Sequence, residues 1–115
     1  EKFVLNLTPH AIVLRSSDGY IVIQPSGQVA RVAMAEQAVD GLVFGLPVVR
    51  RQAGAVTGLI VGETGVIAPC LVSGMVLDAL SNRPELSGVV FAPDSGATAI
   101  RENGQIVAVT RLVTI

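Results

Sequence analysis

The sequence predicts one α+β domain over residues 1–115: a strand-rich mixed sheet, or a partly open barrel, of short strands and hairpins with one main helix at about residues 70–80. Three observations predict this fold. Apolar runs alternate with clusters of Gly, Pro, Ser and Asp, which is typical of short strands joined by turns. Asp18-Gly19 and Asn103-Gly104 are strong hairpin signals. Apolar residues recur at a clear helical spacing in one segment.

The first half of the chain is predicted to form strands only. Two of them flank the Asp18-Gly19 turn, and Pro25-Ser26-Gly27 turns the chain into the next strand. The predicted strands of this half are residues 2–7, 11–15, 20–24, 28–34, 39–44, 46–51 and 55–61. Residues 39–44 and 46–51 form a second candidate hairpin.

The second half changes character. A strand is expected at residues 66–68, and Pro69 suits the start of a helix because its fixed φ and missing N–H cost nothing there. The helix is indicated by the spacing of Leu71, Val72, Met75, Val76 and Leu80. A buried strand follows at 89–91, and a last hairpin joins residues 99–101 to 105–113.

A strand, a helix and a strand in succession favour a right-handed crossover between parallel strands. The start of the helix and the end of the second strand would then share one edge of the sheet. This places Cys70 near Asp94-Ser95-Gly96. Ligands bind at that edge in open α/β sheets, so we expect a binding site there, although the rest of the chain is typical of antiparallel pairing.

Composition favours self-association. Half of the residues are apolar and 15% are charged, against roughly 25% charged in an average soluble protein. A domain of this size has too much surface to place half of its residues inside. A subunit interface is the simplest use for the excess, so we expect a homo-oligomer.

Several classes of partner and cofactor are not expected. The net charge of −1 and the 3% of aromatic residues provide neither a basic face nor stacking platforms for nucleic acid. No apolar run approaches the about 18 residues of a membrane span, and no signal segment is visible, so the expected location is cytoplasmic. One cysteine and one histidine favour neither a disulfide nor a metal site, and without a P-loop or dinucleotide motif we expect no cofactor.

Four ordered motifs carry a resemblance to known sequences. They are LTPH at residues 7–10, PSGxVAR at 25–31, APDxG at 92–96 and IRxxGQIxAV at 100–109. In these motifs the chain resembles a group of small uncharacterised proteins of bacteria and their phages, and the likeness covers nearly its whole length. The resemblance implies a family without an established activity. Relatives tend to carry Ser near the helix start, where this chain has Cys70, so a role for a hydroxyl there does not carry over.

Two polar motifs of the first half are candidate binding positions. In Thr8-Pro9-His10, a hydroxyl beside an imidazole could orient it as a base or a ligand donor. Ser26 and Gly27 with Arg31 could offer N–H groups and a guanidinium to an anion. The alternative in both cases is an ordinary turn, with Thr8 capping the backbone and Arg31 in solvent.

The second half offers two more candidates. Asp94 and Ser95, with Arg101 close behind, could bind a ribose, a base or an anion; the alternative is an Asx turn with a salt bridge from Asp94 to Arg101, or one made by Glu102. Cys70 at a helix start would have a lowered pKa if exposed and could pair with His10 as a nucleophile. The alternative is a small core residue.

These observations lead to three hypotheses. The first is a non-catalytic, oligomeric protein that binds a small anionic or nucleotide-like ligand, with sequestration for a phage as a special case. Its expected ligand-binding residues are Thr8, His10, Ser26, Arg31, Cys70, Asp94, Ser95 and Arg101. The second is a structural or assembly protein with no ligand. The third is a small hydrolase or transferase with His10 as its base.

Overall fold

The structure is a computed structural model that describes residues 4–115. Its elements in chain order are β1 (Leu5–Asn6), β2 (Ile12–Ser16), β3 (Gly19–Ile23), β4 (Arg31–Val43), β5 (Leu46–Thr57), β6 (Cys70–Leu71), α1 (Gly74–Ala79), a 3₁₀ turn (Pro84–Leu86), β7 (Val90–Pro93), β8 (Ile100–Glu102), β9 (Gln105–Ala108) and β10 (Leu112–Thr114). The predicted strand at residues 2–7 falls partly on residues 1–3, which lie outside the described residues.

A four-stranded mixed sheet forms the centre of the molecule. Its strand order is β1-β6-β7-β10; β1, β6 and β7 are parallel, and β10 is antiparallel to β7. The parallel pair β6 and β7 is joined through α1, so the predicted strand, helix and strand unit with parallel strands is confirmed. The two-stranded sheets β2–β3, β4–β5 and β8–β9 are all antiparallel hairpins.

The helix is shorter than predicted. It begins after Ser73, whose side chain accepts a hydrogen bond from the backbone N–H of Val76, and it ends at Ala79. Cys70 and Leu71 are fully buried and pair on both sides with parallel strands, so the strand ladder takes residues whose spacing also suits a helix. The prediction of a helix at 70–80 was therefore wrong at its start.

The core lies beneath this helix. Val76, Leu77 and Leu80 pack with Leu86 and Val90 in one buried cluster, which Leu7 and Ala92 extend along the sheet. The predicted strand at 66–68 is only an isolated bridge, since Ile67 pairs with Val61. Its place in the sheet is taken by β6.

The two hairpins predicted from turn residues are confirmed. β2 and β3 pair on either side of a two-residue turn at Ser17 and Asp18, with Gly19 as the first residue of β3. β8 and β9 flank Asn103 and Gly104, both with positive φ as such a tight turn requires. The predicted strand at 105–113 divides into β9 and β10. The second part, β10, leaves its hairpin to pair with β7 in the central sheet.

The β4–β5 hairpin, called the arm below, is the largest departure from the sequence prediction. The four strands expected at 28–34, 39–44, 46–51 and 55–61 merge into two strands of 13 and 12 residues. Register shifts between Val32 and Met34 and between Val39 and Leu42 let one ladder continue through the interruptions. Val32 and Val56 anchor its base against the core.

The arm gives the molecule an extended shape. The radius of gyration is 16.8 Å, whereas a compact domain of this length has roughly 13 Å. Almost every arm residue beyond the base is exposed. The strand-rich fold with a mixed sheet is confirmed, but it is mostly β rather than α+β, and no sheet among residues 4–115 closes into the barrel considered as an alternative.

Candidate functional site

The buried side chain of Asn6 makes hydrogen bonds to the backbone of the LTPH motif. Asn6 is 1% exposed, and its Nδ2 donates to the carbonyl oxygens of His10 at 2.8 Å and Ile23 at 2.9 Å. The backbone N–H of Thr8 donates to Asn6 Oδ1 at 2.9 Å. The Thr8 hydroxyl lies 2.6 Å from the same oxygen and 2.9 Å from the His10 carbonyl, and its one hydrogen serves one of them. The motif is therefore a turn held together internally.

This network leaves Thr8 and His10 in different situations. The Thr8 hydroxyl is used within the turn, which matches the capping alternative considered from the sequence. His10 is exposed and enters the network only through its carbonyl oxygen. None of the four clefts described among residues 4–115 is lined by His10.

Ser26 lies in the turn before the arm, and Arg31 is the first residue of the arm. The Ser26 hydroxyl donates to the Gln28 carbonyl oxygen and accepts from the Gln28 N–H, which is a local serine turn. Arg31 is exposed at the first position of β4. With Thr8 and Ser73 it lines an open cleft of about 230 Å³ beside the start of α1.

The Asp94 carboxylate of the APDxG loop has hydrogen-bond partners within the protein. Asp94 accepts hydrogen bonds from the Gly96 N–H at 3.0 Å, from the Thr98 hydroxyl and from Arg111 Nε. The Gly96 N–H and then the Arg111 guanidinium hold the pKa of Asp94 below its ordinary value. The alternative of a salt bridge from Asp94 to Arg101 was wrong: the ion-pair partner of Asp94 is Arg111.

Arg101 has a structural role in the same loop. Its guanidinium donates to the carbonyl oxygens of Ser95 at 2.8 Å and Gly96 at 3.0 Å. These bonds fix the loop after β7 against β8. Because the guanidinium is already used on backbone carbonyls, it is less available to an anion than the sequence suggested.

Cys70 is a core residue. It lies inside β6, level with Val90, and is 0% exposed. Burial raises the pKa of its thiol to about 11, so the exposure on which a lowered pKa depended is not met, and the alternative of a small core residue is confirmed. The residue that caps the start of the helix is Ser73 and not Cys70. Cys70 pairs with Val90, which lies four residues before Asp94, so Cys70 and Asp94 do not share one edge of the sheet.

The eight predicted residues are divided among separate places in the single chain. Thr8 and Arg31 share the cleft beside α1, while Asp94, Ser95 and Arg101 share one self-bonded loop. The other three are distributed differently: Ser26 borders another cleft, His10 faces solvent and Cys70 is buried.

Two surface features of the structure were not indicated by any motif in the sequence. The first is an apolar cleft of about 480 Å³ between the central sheet and the β2–β3 hairpin, called the apolar cleft below. Its lining residues are Val4, Leu5, Asn6, Leu14, Ile21, Val22, Ile23, Gln24, Ser26, Leu71 and Leu112. Consecutive apolar residues in β2 and β3 were the available signal, but only the fold shows that they line a cleft with β1 and β10.

The second is the end of the arm, called the arm tip below and formed by Leu42, Val43, Phe44 and Leu46. Phe44 is 100% exposed and Leu46 is 65% exposed. Residues 41–49 contain no charged side chain, which was visible in the sequence. What the sequence did not show is that this run projects from the body of the protein.

The described residues form neither a cluster of metal ligands nor a membrane-spanning helix. Within residues 4–115 no three His, Cys, Asp or Glu side chains gather as metal ligands would. None of the helices in that part of the chain has the length and apolarity needed to cross a membrane. Comparisons with protein-family models, curated proteins and solved structures give no match.

Proposed function

We propose that this protein is a non-catalytic assembly module that forms a homo-oligomer through its β4–β5 arm. The single observation that carries the proposal is the arm itself: a long two-stranded ribbon, exposed on both faces, with an apolar tip. A lone two-stranded hairpin is marginally stable at best in water, and packing on other elements is what stabilises it. A neighbouring copy would supply that packing.

The polar groups along the arm are consistent with this role. Charged residues lie along the arm below the tip, at Arg31, Glu36, Asp40, Arg50 and Arg51, and Glu36 accepts a hydrogen bond from Arg51 Nε at 2.9 Å across the two strands. The tip carries none. A ribbon with charges along its length and an apolar end stays soluble while it offers its end for contact.

Sedimentation velocity of the wild type and of Phe44→Asp tests the proposal. We expect the wild type to sediment as a multiple of 11.9 kDa and Phe44→Asp to shift towards the monomer. Val66→Asp is the matched control, because Val66 is also an exposed apolar residue but lies outside the arm. A wild-type monomer at every concentration tested would refute the proposal.

A ligand-binding role within the same oligomer is the second candidate. The observation in its favour is the cleft lined by Arg31, Thr8 and Ser73. The Thr8 hydroxyl is used within its turn, but the Arg31 guanidinium and the Ser73 hydroxyl could donate hydrogen bonds to a small anion or a nucleotide-like molecule. We expect inorganic phosphate or a nucleotide to raise the melting temperature of the wild type but not of Arg31→Gln. Equal shifts for both proteins, or no shift for either, would contradict this candidate.

A further inference from the structure

We infer that the apolar cleft of one copy receives the arm tip of a second copy. This rests on the proposed assembly function and specifies its contact. The inference follows from the chemistry of the two surfaces, from the conformation of Phe44, and from the area that the exchange would bury.

The apolar cleft has little to offer a polar ligand. Eight of its eleven lining side chains are aliphatic and none is charged. Asn6 uses its amide and carbonyl groups inside the protein, and the Ser26 hydroxyl is bonded to the backbone of Gln28. Only the exposed Gln24 adds a further polar side chain. An apolar group is therefore the occupant that this lining favours.

The arm tip has the complementary chemistry. Its four side chains are apolar and exposed, and the nine residues from 41 to 49 carry no charge. An aromatic ring buries about 150–250 Å² when it is covered. Phe44 at the end of the arm is thus the largest single apolar group that an acceptor could remove from water.

The conformation of Phe44 is a second observation that points to the same residue. It has φ of 51°, and Gly45 after it has φ of 76°. The first position of such a turn favours Asn, Asp or Gly, and a bulky residue there is an outlier. An unfavourable backbone conformation at a fully exposed aromatic residue is expected where the side chain has a function.

The occupant must come from another chain. Phe44 is fully exposed, so it does not lie in the apolar cleft of its own chain. The strand ladder extends from the Arg31–Thr57 pair to the Val43–Leu46 pair with two register shifts, and the exposed side chains of the tip do not pack on the body of their own chain. A second copy of this chain provides an identical cleft for each free tip.

The area is sufficient for a stable interface. A strand of 13 residues spans about 44 Å, and a two-stranded ribbon is about 10 Å wide, so one face covers roughly 400 Å². In a reciprocal exchange that covers the arm along its whole length, each copy buries one face of its own arm and the surface that accepts its neighbour's arm. The upper limit is then about 800 Å² per copy, which is the size of a standard specific interface.

Photo-crosslinking from the tip tests the contact directly. Phe44→p-benzoylphenylalanine keeps an aromatic ring in place, and the crosslinked peptides are identified by mass spectrometry. We expect crosslinks between chains that end in residues 4–26 or at Leu112. Crosslinks between chains that end elsewhere would overturn the inference but leave the assembly proposal intact, whereas a wild-type monomer would overturn both.

A charge placed in the apolar cleft is the complementary test. Ile21 is half exposed, so Ile21→Asp should fold, which circular dichroism checks. We expect it to dissociate the oligomer as Phe44→Asp does, while Val66→Asp does not. An intact Ile21→Asp oligomer would overturn the inference. So would a small apolar molecule released from the wild type and seen by native mass spectrometry, because it would show that a ligand fills the cleft.

Discussion

Replacement of Asn6 by Ala tests how the body of the protein is held together around the apolar cleft. Asn6 is the one buried polar side chain identified in the core of residues 4–115, and it links β1 to the turn at Thr8 and to the end of β3. Its backbone carbonyl also accepts from the Ser26 N–H at 2.9 Å. The side chain thus fixes where the β2–β3 hairpin meets the central sheet.

The magnitude follows from the hydrogen bonds that are lost. Asn6→Ala removes two donors to carbonyl oxygens and the acceptor of the Thr8 N–H. At about 1 kcal/mol for each bond, the loss is about 3 kcal/mol. The Thr8 hydroxyl can turn to the His10 carbonyl and limit further loss. Against a total stability of about 5–15 kcal/mol, this is a large fraction.

Urea unfolding at a fixed protein concentration measures this loss. With an m-value of about 1.5 kcal/mol/M, the midpoint should fall by about 2 M. Asn82→Ala is the matched control, since Asn82 is exposed and its side chain makes no hydrogen bond within the described residues, and it should change stability by less than about 0.5 kcal/mol. A loss below about 1 kcal/mol for Asn6→Ala would refute the reasoning.

Three further predictions concern single residues. Gly58→Ala should lose about 2 kcal/mol or more in urea unfolding, because Gly58 has φ of 91° and its new Cβ would meet backbone, while Gly74→Ala, with open space, should be nearly neutral; equal effects would contradict this. Cys70 should resist thiol reagents in the folded protein and react fully in denaturant, and rapid native labelling would show that it is not buried. The pKa of Asp94 is lowered on folding, so its contribution is complete above the unfolded value of about 3.9 and is lost as the pH falls through the folded pKa. Asp94→Asn should therefore reduce the acid dependence of stability, and an unchanged profile would argue against the bonds that Asp94 accepts from the Gly96 N–H and from Arg111.

The candidate site shows which kind of inference the sequence supports. The internal turn at Thr8 was one of the two interpretations considered, and the Asx turn at Asp94 was the other loop alternative; both are present. The partner of Asp94 was not predicted, because Arg111 is 17 residues away and reaches it only when β10 pairs beside β7. Asn6 was missed because a single buried amide leaves no pattern in the sequence.

The sequence by itself determined the local features: the two hairpins signalled by Asp18-Gly19 and Asn103-Gly104, the strand-rich character and an apolar excess larger than the core needs. Turn conformation depends on the residues at the turn, so it is read from a few positions. Only the tertiary structure decided that Cys70 belongs to a strand, that four short strands merge into one arm, and that the arm tip projects into solvent. Those outcomes depend on which distant strands pair, and a ladder that continues through a bulge overrides the breaks that local sequence suggests.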